Sequence, residues 1–147
     1  MTTMNPYLTF KGNTEEAFTF YKSVFGGEYM SFMRFSEMPK NDDACAGLSE
    51  TDMQKVMHVS LPISDDHILM GSDTVETNDQ DTIIGNNFNI CLNADSQEDA
   101  DRLFAGLSAG GTVIMPMDNT FWGSYFGMCK DAFGIGWMIS FDTLHDE

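Results

Sequence analysis

Apolar and polar positions change period in a regular order along this chain. Residues 7–10 (YLTF) alternate in the manner of a short strand, and the break KGN then leads into TEEAFTFYKSVF, where Ala17, Phe20, Tyr21 and Val24 recur at helical spacing. Asn13, with Glu16 three positions later, reads as a capping box, and Gly26-Gly27 as the helix stop. EYMSFMRFSEM returns to strand alternation. From residue 88 the order repeats: FNICLNA, Ser96 with Asp99 as a second capping box, QEDADRLFAGLSA as a helix, Gly110-Gly111 as its stop, and TVIMPM as a strand. The two cap residues stand 83 positions apart and the two glycine pairs 84, so one pattern is written twice in register.

Each copy is followed by a hairpin. VMHVSLPI and HILMG flank the turn SDD, and SYFGMCK and GWMISF flank DAFG. Each half therefore reads β-α-β-β-β, an α+β fold of two tandem modules, the first at about 1–73, the second at about 88–147, with a linker at about 74–87. Modules of this size are too small to be stable apart, so curved mixed sheets enclosing a shared cavity are expected. A pairing of residue 58 with residue 71 would put Met57, Val59 and Leu61 on one face, opposite Ile68 and Met70. Residues 39–54 read as a polar loop.

A length of 147 residues, 42% of them hydrophobic, is that of one globular domain. The net charge of −16 argues against nucleic acid and anionic membranes as partners, because such a field repels phosphate. Cys45, Cys91 and Cys129 are odd in number, widely spaced and in no metal-binding doublet, which suits a reducing cytoplasm. The start, MTTMNPYLTFKG, shows no secretion signal, and no run of about 18 apolar residues is present to span a bilayer.

The doubled unit, the FY of the first helix and the D-x-F-G-x-x-W before the last strand resemble the vicinal oxygen chelate superfamily of glyoxalase I, extradiol dioxygenases and bleomycin-resistance proteins. PYLTFKGNTEEAFTFYKSVFGGE, FSEMP and TFWGSYFGMCKDAFGIGWMIS resemble its PhnB-like branch in particular. The resemblance implies a glyoxalase-like fold and a homodimer, in one arrangement with half-barrels completed by partner strands. It also implies a divalent cation held by His, Glu or Asp on the first and last strand of each module, acting as a Lewis acid on vicinal substrate oxygens. Carried over one at a time, those places fall at Pro6, at Leu69 or Met70, at Phe88 or Asn89, and at Met138. Asn89 alone offers an oxygen there, and a weak neutral one.

No metal or cofactor is therefore expected. The expected function is that of a metal-free binding protein for an apolar or aromatic small molecule, with His58, Met70, Phe88, Trp122 and Met138 lining its pocket. The alternative is a lyase or dioxygenase with a displaced metal site that uses His58 and Glu37. Cys91 and Cys129 read as small core hydrophobes, and GIGW lacks the glycines of a dinucleotide-binding turn.

Overall fold

The structure, a computed structural model, describes residues 2–38, 47–75 and 82–142. The first half of the expected loop at 39–54, Cys45 within it, and the middle of the expected linker lie outside the described residues. Two compact units divide the chain, Met1–Ile83 and Ile84–Glu147.

In the first unit, β1 (Tyr7–Phe10), α1 (Thr14–Phe25), β2 (Ser31–Arg34), a 3-10 turn (Phe35–Glu37), the short α2 (Glu50–Met53), β3 (Val56–Ser64) and β4 (His67–Asp73) follow in order. The four strands form one mixed sheet, β1-β4-β3-β2, in which only the β1–β4 pair is parallel. The second unit repeats this with β5 (Ile90–Asn93), α3 (Gln97–Ser108), β6 (Thr112–Asn119), β7 (Ser124–Lys130) and β8 (Gly136–Asp142), ordered β5-β8-β7-β6 with β5 and β8 parallel. The doubled β-α-β-β-β reading thus holds, although the strand expected over EYMSFMRFSEM stops at Arg34, where the chain turns into the 3-10 segment.

Each helix covers one face of its own sheet. Thr14, Ala17, Phe18, Tyr21 and Val24 make the buried stripe of α1, so Phe18 occupies the core where the spacing favoured Phe20. Leu8, Phe10, Val56, Val59, Leu61 and Leu69 receive it from the strands. Phe18 lies so close over β4 that a Cβ at Gly71 would stand 2.8 Å from both its Cε2 and the Leu8 carbonyl oxygen, which is why that strand position has no side chain. In the second unit Ala100, Leu103 and Leu107 of α3 meet Cys129, Trp137 and Ile139.

The two helix starts are capped differently. Ser96 caps α3 as expected, its hydroxyl accepting from Asp99 N at 3.0 Å. Asn13 is the N-cap of α1 by position, but its side chain makes no capping bond. The carboxylate of Asp73, at the far end of β4, replaces it. Asp73 Oδ1 accepts from Gly12 N (3.0 Å), Thr14 N (3.0 Å) and Thr14 Oγ1 (2.6 Å), and Oδ2 from Val56 N (2.9 Å). A negative charge beside the helix N-terminus is also favoured by the helix dipole.

Asp73→Ala should lower the unfolding free energy by about 3 kcal/mol, because three buried or part-buried amides and a hydroxyl lose a charged acceptor. Asp73→Asn should recover only part of that loss, since its NH2 must face an N–H donor. Urea denaturation of both variants checks the order.

Candidate functional site

Side chains of a strand point alternately to the two faces of its sheet, so the face that α1 leaves free is set by register. β3 pairs with β4 as Val59 with Gly71, Ser60 with Met70 and Leu61 with Leu69, and β1 pairs with β4 as Tyr7 with Met70. Residue 58 thus stands opposite 72, one place from the expected pairing with 71. The correction reverses the faces. Val59 and Leu61 are fully buried on the α1 side, and the helix-free face carries His58, Ser60, Met70 and Tyr7 instead. A register shift between Met33 and Arg34, whose partners are His58 and Val56, also takes Met57 out of the simple alternation.

On this face the Tyr7 and His58 rings stack with centroids 5.9 Å apart at 29°. His58 Nε2 lies 2.7 Å from Ser60 Oγ. Ser60 is only 5% exposed, whereas Tyr7 is 49% and Met33, the β2 neighbour of His58, 37% exposed. An imidazole, a phenol, a hydroxyl and two thioethers thus share one side of the first sheet.

The free face of the second sheet differs in chemistry. Cys91 pairs with Met138, Met138 with Met128, and Met128 with Met115, so one row across all four strands carries sulfur. Phe126 and Ser140 are the next pair along, and Ser140 Oγ is 2.7 Å from Ser124 Oγ. Trp122 sits in the β6–β7 turn with its ring against Phe126, centroids 6.2 Å apart. Thr120 Oγ1 closes that turn by donating to Ser124 O (2.7 Å) and accepting from Ser124 N (3.2 Å). Phe88 falls two residues before β5, off the sheet and exposed. Cys91 is exposed rather than a core residue, because it falls on the free face, whereas Cys129 beside it in type is fully buried.

The D-x-F-G-x-x-W motif is a hydrogen-bonded corner centred on Asp131. Its Oδ1 accepts from Phe133 N (2.8 Å) and Ile135 N (3.0 Å), and its Oδ2 from Trp137 Nε1 (2.8 Å). Gly134 turns the chain at φ +92°, where a side chain is strained. Trp137 is thereby pinned on the α3 side, and the alternation of β8 puts Met138 on the free face.

The remaining candidates have local roles. Glu37 Oε2 accepts from Arg34 N at 2.7 Å and so caps the 3-10 turn, and His67 Nδ1 lies 2.9 Å from Ser64 Oγ across the tip of the β3–β4 hairpin. Among the described residues no group of three His, Cys, Asp or Glu side chains is placed to hold a metal ion. None of their helices is long and apolar enough to cross a membrane.

Residues 3–139 match the family model of the Glyoxalase/Bleomycin resistance protein/Dioxygenase superfamily. The chain belongs to this superfamily. Protein YjdN of Escherichia coli K12 is 31% identical over 141 residues, covering 93% of each chain. The crystal structure of protein PA1353 from Pseudomonas aeruginosa is similar at 35% identity and a TM-score of 0.79, over 97% of this chain and 98% of that one. A Bacillus cereus PhnB protein, described as a putative 3-demethylubiquinone-9 3-methyltransferase, shares the fold at 22% identity and a TM-score of 0.65, over 95% and 99% of the two chains.

The divalent ion implied by the superfamily resemblance can be tested against the donors present. The residue beside Met70 on β1 is Tyr7 rather than Pro6, and the residue beside Met138 on β5 is Cys91 rather than Phe88 or Asn89. Leu69 is excluded by its burial under α1. A phenol, a thiol and two thioethers supply neither the carboxylate oxygens nor the imidazole nitrogens that a hard or borderline cation takes, so these positions do not fit it.

Partial desolvation by its neighbours raises the thiol of the otherwise exposed Cys91, and burial followed by the Asp131 charge pushes Cys129 up to about 11. Raised thiol values favour the folded state at neutral pH, and that contribution is lost as pH climbs from about 9 towards 11. Iodoacetamide at pH 8 with peptide mapping should modify Cys91 in the native protein and Cys129 only after denaturation. Cys129→Ala should flatten the fall in stability across the same alkaline window, measured by urea titration.

Proposed function

We propose that this superfamily member is a metal-free binding protein for an apolar or aromatic small molecule. The observation that carries the reading is the make-up of the two helix-free faces. The first presents Tyr7, His58 and Met70 without a charged neighbour among its paired positions, and the middle of the second presents Met138, Met128 and Phe126 with Trp122 leaning on it, its charges Lys130, Asp142 and Asp118 standing at strand ends and on the edge strand β6. Thioethers adapt to the shape of a guest and aromatic rings offer area at low entropic cost, so affinity comes from burial at about 25 cal/mol per Å². Phe88, 58% exposed ahead of β5, is assigned to the contact set of the second unit.

The protein acts in the cytoplasm as a homodimer on this reading. The free thiols at Cys91 and Cys129 are compatible with a reducing compartment. The exposed apolar run Val113, Ile114 and Met115 on the edge strand β6 is compatible with a second copy.

Protein purified without chelator should contain well under one equivalent of Zn, Ni, Mn or Fe per chain; a full equivalent would instead support the lyase or dioxygenase alternative. In a thermal-shift screen of small aromatic compounds, a binder at about 100 times its Kd should raise Tm by roughly 5–10 °C. Met70→Lys should weaken a binder on the first sheet at least tenfold, and Met138→Lys a binder on the second. Unchanged affinity in both would remove the helix-free faces as the site.

A further inference from the structure

The His58–Ser60 pair carries more information than a lining contact. Ser60 is a nearly covered hydroxyl on β3, and its one side-chain hydrogen bond among the described residues is to His58 Nε2, at 2.7 Å. A hydroxyl has one proton to place, and a buried donor without an acceptor is costlier than an acceptor with a lone pair unused. The arrangement that satisfies the proton is Ser60 O–H donating to Nε2. Neutral imidazole then carries its own proton on Nδ1. The stacked Tyr7 ring, 5.9 Å away, restrains the plane of the imidazole, and no hydrogen bond engages Nδ1 among the described residues. A fixed N–H therefore stands on the helix-free face beside Met70 and Met33 without an acceptor of its own.

We infer that His58 is the polar anchor of the ligand site and that the ligand presents an uncharged carbonyl oxygen, on an apolar or aromatic body, to its Nδ1–H. Two considerations select that chemistry. With Ser60 O–H donating to Nε2 across 2.7 Å, the other ring nitrogen is a donor, so a ligand group that only donates leaves it unpaired, and an unpaired buried donor is a strong discriminator. The net charge of −16 disfavours a carboxylate or phosphate in the same place. Ser60 is a positioning residue in this account: it acts on the ligand through His58.

The inference rests on the small-molecule reading above, and three probes of one body separate the two. Acetophenone offers the carbonyl, ethylbenzene lacks it and benzoate carries a charge. Acetophenone should bind the full chain at least fivefold more tightly than ethylbenzene, and benzoate more weakly than acetophenone. The acetophenone preference should vanish in His58→Phe, fall in Ser60→Ala and return in Ser60→Thr. Nitrogen-15 imidazole shifts should show the proton on Nδ1 in the native protein and on Nε2 in Ser60→Ala, a change that mere loss of packing would not produce. Ethylbenzene binding without a carbonyl preference, a stronger benzoate complex, or a native Nε2–H tautomer overturns this inference and leaves the small-molecule reading standing. If none of the three binds, both fall.

Discussion

The Asp73 carboxylate ties together the three parts that decide which way the first sheet faces. It accepts the amide of Gly12 ahead of α1 and the first amide of α1, at Thr14, and it also accepts the leading amide of β3 from its own place at the end of β4. Helix entry and strand register are thereby fixed by a single buried charge. The consequence reaches across the sheet, because a slip of one residue in β3 would exchange Val59 and Leu61 for His58 and Ser60 against the helix. That exchange would bury an imidazole and a hydroxyl in an apolar core at a cost of several kcal/mol. The make-up of the helix-free face is therefore a by-product of a core constraint.

The second unit reaches the same end by a different device. Asp131 binds the indole of Trp137 and two turn amides, so the residue aimed away from α3 is always Met138. The corner thus sets the direction of the strand while the residue it aims is a thioether, which presents a surface but not a cation ligand. The two free faces are chemically unequal as well: the imidazole and phenol belong to the first, and a row of sulfur across all four strands to the second.

The architecture was legible because period and punctuation agreed. Gly26 and Gly110 mark helix ends, Ser96 caps as written, and the YLTF strand begins and ends where the alternation does. What could not be read was contact across long sequence separations. The capping role of Asp73 lies 59 positions from Thr14, and nothing in the sequence near either residue announces it. The face of β3 was misread because a hairpin register depends on the turn and on bulges, here between Pro62 and Ser64, and one residue of error inverts every assignment. Ser60 was missed as a face residue for that reason, whereas Tyr7, Cys91 and Met128 were missed because their pairing with Met70 and Met138 is set by contacts distant in sequence. His58 and Met70 do share a face, but with Tyr7 and Ser60 rather than with Val59 and Leu61.

The account as a whole claims that a guest meets the helix-free side of the sheets. With the chain's 12 methionines carrying carbon-13 at the ε-methyl, each reports on its own surroundings. Titration with acetophenone should move the Met70 and Met33 methyl signals, on the His58 face of the first sheet, and leave Met53, in α2, in place. Shifts confined to Met53, with Met70 and Met33 unmoved, would contradict it.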